Sequence, residues 1–142
     1  MKVLIYGLPG AGKSTLAEPF AKLIGGVWIN ADQVRERYND WDFSPEGRIR
    51  QAQRMRNLAD GVVMAGKTAV ADFVCPTEQA RKEFGADFTV WMDTIEEGRF
   101  EDTNKMFQKP AKVDYHVKAW FDDTPQQLIE VVKVWMERND EL

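Results

Sequence analysis

The stretch KVLIYGLPGAGKST, residues 2–15, decides how the chain is expected to fold. Its first five residues form an apolar run rich in branched side chains, glycines follow, and a helical pattern extends from Lys13 to about Ile24. Glycines allow successive backbone N–H groups to turn inward around a phosphate, and the N-terminus of the following helix adds positive charge. The stretch fits the pattern G-x-x-x-x-G-K-[ST] and therefore predicts a phosphate-binding P-loop.

The polar residues of this loop predict a nucleoside triphosphate as its ligand, with ATP and Mg²⁺ as the cofactors. Lys13 is expected to bridge the outer phosphates, and the Ser14 hydroxyl is expected to coordinate the Mg²⁺. A glycine-rich turn that binds no nucleotide is the alternative, which the flanking strand and helix disfavour. The residues expected to bind the nucleotide are Gly7, Pro9, Gly10, Ala11, Gly12, Lys13, Ser14 and Thr15.

Predicted strands and helices alternate along the rest of the chain. This alternation predicts an α/β protein with the P-loop NTPase fold, in which an open, mostly parallel β-sheet carries helices on both faces. Residues 1–142 are expected to form a single domain, and Pro19 is expected to kink the first helix. The expected strands are 2–6, 27–29, 68–74, 88–92 and 112–117, and the expected helices are 13–24, one from 32, 45–65, 77–83 and 125–138.

The composition excludes several classes of protein. Cys75 and His116 are the only residues of their types among 142, so neither an internal disulfide nor a zinc cluster is expected. No apolar run approaches the ~20 residues that span a bilayer, and no signal peptide is recognised, so a cytoplasmic location is expected. A net charge of -4 argues against non-specific nucleic-acid binding. The sequence leaves the oligomeric state open.

Three acidic residues, Asp32, Asp72 and Asp93, follow or end predicted strands. Ligands of open parallel sheets collect at the carboxyl ends of the strands, and phosphoryl transfer needs carboxylates to hold Mg²⁺ and to orient the attacking hydroxyl. Lys13, Asp32 and Asp72 are therefore the expected catalytic residues. Ser14, Asp32 and Asp72 are the expected metal ligands.

Each of these acids also has a structural alternative. Asp32 could cap the helix that begins near it, and Asp93 could cap a helix over residues 94–99. Asp72 is harder to explain structurally, because an acid in an otherwise apolar strand is costly unless it is paired or bound to metal.

Arginines and one aromatic residue after the second strand predict the acceptor site. Arg35 and Arg48 are expected to grip a phosphate or sulfate of the acceptor with their forked guanidinium groups. Phe43 lies in a polar loop and could stack on a base, with packing in the core as the alternative. Arg50 and Arg56 are expected on a solvated helix face.

Four segments resemble the adenylyl-sulfate kinase family, namely residues 7–15, 30–35, 43–48 and 73–76, with Arg81 beyond the last. Members of that family use ATP and Mg²⁺ to phosphorylate the ribose 3′-hydroxyl of adenosine 5′-phosphosulfate. The resemblance implies that Asp32 acts near the Mg²⁺ and the attacking hydroxyl, that Arg35 and Arg48 bind the phosphosulfate, and that Phe43 stacks on the adenine. The full set of expected substrate contacts is Arg35, Phe43, Arg48, Phe73, Arg81 and Phe107.

The chain departs from the family at several positions. Asn30 replaces the first acid of the acidic segment, Gly47 replaces the Asp before the arginine, and Gln51 stands where the family has Asn. Residues 104–109 echo the family's lid segment faintly, and residues 112–117 replace a conserved family segment.

The lid segment supplies further expectations. Phe107 could cover a nucleotide base as a lid aromatic does in the family, or it could dock on the core. Lys105 and Lys109 are the expected lid cations, and closure of a lid would exclude water from the phosphates.

Three functions fit these features. The first is a kinase for a small nucleotide-like acceptor, with adenosine 5′-phosphosulfate preferred. The second is a kinase that acts on a polynucleotide end or a modified-base hydroxyl. The third is a regulator that binds a nucleotide without turnover. The absence of an Asn-Lys-x-Asp sequence disfavours a GTPase switch.

Overall fold

The computed structural model describes residues 1–140, in which five strands form one fully parallel sheet. The order across the sheet is β2-β3-β1-β4-β5, so the strand that leads into the phosphate loop is central. The strands are β1 (Lys2–Tyr6), β2 (Val27–Asn30), β3 (Ala69–Phe73), β4 (Phe88–Met92) and β5 (Tyr115–Val117).

Helices cover both faces of this sheet because successive side chains of each strand point to opposite sides. Val3 and Ile5 belong to one apolar core with residues of the first and last helices, whereas Leu4 and Tyr6 belong to a second core on the other face. The helices are α1 (Lys13–Ile24), α2 (Ala31–Tyr38), α3 (Pro45–Met64), α4 (Glu78–Phe84), α5 (Glu101–Met106) and α6 (Thr124–Asp140). Within residues 1–140, none of them is long and apolar enough to cross a membrane.

The predicted α/β class, parallel sheet and helices on both faces are confirmed. Helix α1 continues through Pro19 from Lys13 to Ile24. The helix suggested for residues 94–99 is wrong, because this segment is irregular and α5 begins only at Glu101. Asp93 instead lies 2.9 Å from His116 Nε2 through its carboxylate, which ties the ends of β4 and β5 together.

The functional crevice follows from this strand order. Strands β1 and β3 are neighbours, and the chain leaves their carboxyl ends toward opposite sides of the sheet. Such a switch point opens a crevice above the strand ends, where open α/β sheets bind their ligands. The phosphate loop after β1 and the segment after β3 therefore face the same space.

The turn between α1 and β2 generates a prediction about stability. A Cβ atom on Gly26 would lie 2.6 Å from the carbonyl oxygen of Thr68, which already accepts a hydrogen bond from Val27 N. We expect Gly26→Ala to lower the free energy of unfolding by about 1–3 kcal/mol, because backbone must shift to relieve the overlap. Urea unfolding followed by circular dichroism measures this change.

The matched control is Gly61→Ala in the exposed last turn of α3, where a Cβ atom would meet nothing within 4 Å. There we expect a gain of about 0.5–1 kcal/mol, because alanine restricts the unfolded chain and favours the helix. Equal stability of the Gly26 variant and the wild-type protein would contradict the described turn.

Candidate functional site

The phosphate loop is shaped by close contacts and by left-handed glycines. A Cβ atom on Gly7 would lie 2.5 Å from the carbonyl oxygen of Met92, so no larger residue fits beside β4. Gly10 and Gly12 have φ angles of 91° and 93°, a region that residues with a Cβ rarely adopt. Helix α1 has neither a side-chain cap nor an acid in its first turn. Its first N–H groups are therefore suited to an anionic ligand.

Lys13 lies at the start of α1 and is half-buried beside the loop. Its Nζ donates a hydrogen bond to the carbonyl oxygen of Leu8 at 3.1 Å. Burial lowers the pKa of Lys13 to about 8, although the carboxylates of Asp72 and Asp32 oppose this shift. A phosphate placed against this amine would favour its charged form.

Asp72 presents a buried carboxylate beside the loop. It is 3% exposed on β3 and accepts hydrogen bonds from Ser14 Oγ at 3.3 Å, from Asn30 Nδ2 at 3.4 Å and from the indole N–H of Trp28. Burial raises the pKa of Asp72, and these donors together with Lys13 act against the rise. The amide of Asn30 therefore takes part in the site, and Trp28 is a member that sequence patterns did not indicate.

The oxygens of Ser14 and Asp72 form a donor set that suits Mg²⁺. This ion prefers oxygen ligands and usually keeps waters and phosphate oxygens beside one or two protein ligands. Within residues 1–140, no three His, Cys, Asp or Glu side chains cluster as a dedicated metal cage. The pair therefore fits an ion that arrives with the phosphates of a nucleotide.

Asp32 lies exposed in the first turn of α2 and lines the same cleft. Its alternative as the helix cap is wrong, because Asn30 is the N-cap and its side chain accepts the hydrogen bond from Gln33 N at 3.1 Å. In the described part of the chain, the Asp32 carboxylate has neither a hydrogen bond nor an ion pair. It is free to contact a ligand.

One cleft of about 1080 Å³ joins the phosphate loop to the segment after β2, the end of β3 and helix α5. Gly7 and Ala11 are buried and do not line it. The predicted site residues that do line it are Pro9, Gly10, Gly12, Lys13, Ser14, Thr15, Asp32, Arg35, Phe43, Arg48, Asp72 and Phe73.

The guanidinium groups of Arg35 and Arg48 both lie near the ring of Phe43 in this cleft. Their guanidinium carbons lie 4.3 and 5.3 Å from the ring centroid, and the ring itself is 49% exposed. Burial lowers the pKa of both arginines, and for Arg48 the nearby charge of Arg35 adds to the effect. Within residues 1–140, neither guanidinium has a carboxylate partner. A ligand anion would supply the missing opposite charge.

The neighbouring arginines are neutralised, in contrast. Arg50 binds the carboxylates of Asp40 and Asp42 at 2.8 and 3.0 Å, and Arg54 lies 2.7 Å from Asp40. Arg50 is expected on a solvated helix face, and the structure shows that it also forms these ion pairs. Among the arginines of α2 and α3, the two that line the cleft and keep their positive charge for a ligand are Arg35 and Arg48.

Helix α5 lines the cleft and contributes a buried hydroxyl to its wall. Thr103 Oγ1 accepts a hydrogen bond from Arg48 Nη2 at 2.6 Å, and Thr103 is 4% exposed. Sequence patterns did not indicate this residue, because the pair is 55 positions apart. Of the expected lid cations, neither Lys105 nor Lys109 lines the cleft, whereas Arg99 does.

Arg81 and Phe107, two of the expected substrate contacts, lie outside the cleft. Arg81 is buried, and its guanidinium donates to the carbonyl oxygens of Cys75, Pro76 and Gln108. It thereby holds the turn at Cys75, whose φ of 44° is left-handed. Phe107 packs against the Arg81 guanidinium and stacks on Trp91 in the core. Both residues therefore support the walls of the cleft.

Comparison with known proteins places the chain in a family. A family model described as an AAA domain matches residues 3–89, which is more than half of the chain. The chain belongs to this AAA domain family. No curated protein matches the sequence.

Solved structures show the fold of this AAA domain protein more fully. The APS kinase of Mycobacterium tuberculosis, solved with AMPPNP and APS, has a TM-score of 0.71 and 20% identity over 93% of this chain and 96% of that chain. A sugar kinase from Janibacter sp. HTCC2649 has a TM-score of 0.69 and 18% identity over 96% and 94% of the two chains.

Shikimate kinase from Acinetobacter baumannii has a TM-score of 0.64 and 17% identity over 94% of this chain and 93% of its own. The AAA domain protein therefore has the fold that kinases of different small molecules share. Identities of this size establish the fold and leave the acceptor to be argued from the site.

The lowered pKa of Lys13 generates a prediction about proton linkage. The free protein releases the Lys13 proton near a pKa of about 8, and a bound phosphate raises that pKa. The bound state therefore holds more protons, so affinity for ADP falls as the pH rises through 8. Calorimetric titration with Mg²⁺-ADP near pH 8.5, in two buffers of different ionisation enthalpy, should reveal proton uptake.

The same titration near pH 7 is the control, because Lys13 is already protonated there in the free protein. Uptake should be much smaller at that pH. Equal proton uptake at both values would contradict the role assigned to the Lys13 amine.

Proposed function

We propose that this protein is a phosphotransferase that moves the γ-phosphoryl group of ATP to a hydroxyl of a small, anionic, nucleotide-like acceptor. Adenosine 5′-phosphosulfate is the acceptor we favour. One observation carries the proposal: a single cleft is lined by the phosphate loop, by the carboxylate of Asp32 and by the guanidinium groups of Arg35 and Arg48. Within residues 1–140, these three side chains have no ion-pair partner. These are the parts that phosphoryl transfer to an anionic acceptor requires.

The nucleotide end of the cleft holds the triphosphate. Backbone N–H groups of the loop and the Lys13 amine bind the outer phosphates, which places positive charge where negative charge develops during transfer. Ser14 Oγ and the Asp72 carboxylate would hold Mg²⁺, directly or through water. When bound, the ion would neutralise charge on the phosphate oxygens.

The acceptor end orients the attacking hydroxyl. Asp32 accepts a hydrogen bond from that hydroxyl, and its carboxylate takes the proton as the hydroxyl oxygen bonds to the γ-phosphorus. The bond between the γ-phosphorus and the bridging oxygen breaks, and ADP leaves. Arg35 and Arg48 fix the acceptor through its anionic group, which holds the hydroxyl in position for attack.

The choice of a nucleotide-like acceptor is supported by the aromatic residues of the cleft. Trp41, Phe43 and Phe100 line it and are 51%, 49% and 56% exposed. Exposed rings beside guanidinium groups suit the flat face of a base. The shared fold with an APS kinase that was solved with AMPPNP and APS supports the same pairing of cofactor and acceptor.

A polynucleotide end or a modified-base hydroxyl is the second candidate acceptor. The same three rings would serve as a stacking platform for a single strand. The net charge of -4 and the ion pairs of Arg50 and Arg54 count against it, because they leave few cations for a phosphate backbone. The open cleft argues against a regulator without turnover.

A steady-state assay tests the proposal. We expect the purified protein to form ADP from Mg²⁺-ATP only when adenosine 5′-phosphosulfate is present, with Lys13→Ala as the inactive blank. We expect Asp32→Asn to lower kcat by about 10²–10⁴-fold, because the isosteric amide cannot take the proton. The affinity for ADP should stay at the wild-type value.

Failure of adenosine 5′-phosphosulfate to stimulate ADP formation would remove it as the acceptor. Stimulation by an oligonucleotide or by a hydroxymethylated base would then favour the second candidate. Full activity of the Asp32→Asn variant would show that the carboxylate takes no proton.

The hydrogen bond between Thr103 and Arg48 gives a second test of the acceptor end. Thr103→Val keeps the shape of the side chain and removes the hydroxyl, so Arg48 keeps its hydrogen bond to the carbonyl oxygen of Phe43 and loses its hydrogen bond to Thr103. We expect the KM for adenosine 5′-phosphosulfate to rise about tenfold or more, with a smaller change in kcat. Thr103→Ser, which restores the hydroxyl, should recover most of the loss. A Ser variant as impaired as the Val variant would contradict this role.

A further inference from the structure

The buried carboxylate of Asp72 meets its hydrogen-bond donors unevenly on its two oxygens. Ser14 Oγ lies 3.3 Å from Oδ1 and 3.5 Å from Oδ2, and Asn30 Nδ2 lies 3.5 and 3.4 Å from the same two oxygens. The indole N–H of Trp28 donates to Oδ2, and it is the closest of the three donors. The two oxygens of Asp72 are therefore not equivalent.

The sheet explains how Trp28 reaches this carboxylate. Strands β2 and β3 pair in parallel, with Trp28 opposite Val70 and Asn30 opposite Asp72. Residues two apart in a strand point to the same face, so these four side chains share the face of the sheet that α1 covers. Ser14, Asn30 and Asp72 line the cleft, whereas Trp28 does not. The indole therefore acts on a ligand in the cleft through Asp72.

Packing alone does not require an indole at position 28. The Trp28 ring is half-buried against the core that contains Val3 and Ile5. A phenylalanine ring could pack there as well, but it has no N–H group, and Oδ2 of Asp72 would keep only the two longer hydrogen bonds. An indole N–H donates and cannot accept, so it selects Oδ2 as the oxygen turned toward Trp28.

One engaged oxygen changes how the carboxylate can hold a divalent cation. Mg²⁺ demands near-octahedral geometry, for which the two oxygens of one carboxylate are too close together, whereas Ca²⁺ accepts about six to eight oxygens and often takes both from one carboxylate. A cation shared by both oxygens of Asp72 would lie closer to the partial positive charge of the indole N–H than a cation on Oδ1 alone. The indole therefore disfavours the shared arrangement.

We propose that Trp28 is a positioning residue that makes Asp72 a one-oxygen ligand and thereby favours Mg²⁺ over Ca²⁺ at the nucleotide. The indole N–H holds Oδ2, and Oδ1 is left for the cation beside Ser14. This role rests on the proposed function, because it takes a nucleotide and its divalent cation as the ligands of this end of the cleft. It does not depend on which acceptor binds.

Metal-dependent binding of ADP tests this role in the full chain. The Kd for ADP is measured by calorimetry without metal, with saturating Mg²⁺ and with saturating Ca²⁺. In the wild-type protein we expect Mg²⁺ to strengthen ADP binding more than Ca²⁺ does. In Trp28→Phe we expect the ratio of the two Kd values to move about tenfold in favour of Ca²⁺, because Oδ2 loses its closest donor. Metal-free binding of ADP should stay at the wild-type value.

A purely structural role of Trp28 gives a different result. Trp28→Phe would then weaken ADP binding by the same factor in all three conditions, and an unchanged ratio would overturn the proposal. Trp135→Phe is the matched control, because Trp135 packs against the same core and, within residues 1–140, its indole N–H donates no hydrogen bond. This control should keep the wild-type ratio.

A double variant tests whether Trp28 acts through the carboxylate. In Asp72→Asn the charged oxygen that the indole holds is gone. Adding Trp28→Phe to this variant should therefore leave the ratio of the Mg²⁺ and Ca²⁺ values where Asp72→Asn alone puts it. A further tenfold move in the double variant would overturn the proposed route.

The wild-type protein allows a test that needs no variant. The chain has five tryptophans, and the indole ¹H–¹⁵N resonance of Trp28 can be assigned from the backbone of β2. We expect this resonance far downfield in the free protein and still downfield with Mg²⁺-ADP, because the bond to Oδ2 persists. Ca²⁺-ADP should move it upfield. The same shift with both metals would overturn the proposal.

Failure of the nucleotide site and failure of the Trp28 role are distinguishable. No binding of ADP by the wild-type protein in any of the three conditions would overturn the proposed nucleotide site, and the role of Trp28 with it. Binding of ADP that Mg²⁺ and Ca²⁺ strengthen equally in the wild-type protein would overturn the role of Trp28 alone.

Discussion

A carboxylate buried at the end of β3 organises the nucleotide end of this protein. An acid buried in a low-dielectric interior is stable only where hydrogen-bond donors surround it. Asp72 therefore depends on donors from the neighbouring elements. Ser14 comes from the start of α1, and Trp28 and Asn30 come from β2. Asn30 also caps α2. One buried charge thus fixes the phosphate loop, the second strand and the helix that bears the free acid relative to one another.

The acceptor end is organised by the opposite condition, because within residues 1–140 Arg35 and Arg48 have no carboxylate partner. The loop between α2 and α3 supplies acids that neutralise Arg50 and Arg54, yet only backbone oxygens of that loop reach the buried guanidinium of Arg35. Hydrogen bonds to carbonyl oxygens orient a guanidinium without cancelling its charge. The same loop therefore removes positive charge from the outer surface and preserves it where the cleft can use it.

The sequence could predict those parts of the site whose chemistry depends on local spacing. The phosphate loop has a backbone geometry that few residues other than glycine adopt, and Asp72 stands out as an acid in an apolar strand. Pairs distant in sequence could not be predicted: Thr103 meets Arg48 only because α5 packs across the cleft, and Asp93 turns to His116 instead of capping a helix. Arg81 stands where the resembled family has an arginine, but its guanidinium donates hydrogen bonds to three backbone carbonyl oxygens.

Position 47 shows how a lost motif residue can be replaced through space. The resembled family has an acid there, and this chain has Gly47, which by sequence alone suggests a missing charge. A Cβ atom on Gly47 would lie 2.6 Å from the carboxyl carbon of Asp42, so that carboxylate occupies the space beside position 47. Asp42 binds Ser44 N and Arg50 from there, which holds the loop that carries Phe43. The glycine is thus the condition that lets a loop acid approach, and Asp42 supplies a carboxylate beside position 47 from elsewhere in the chain.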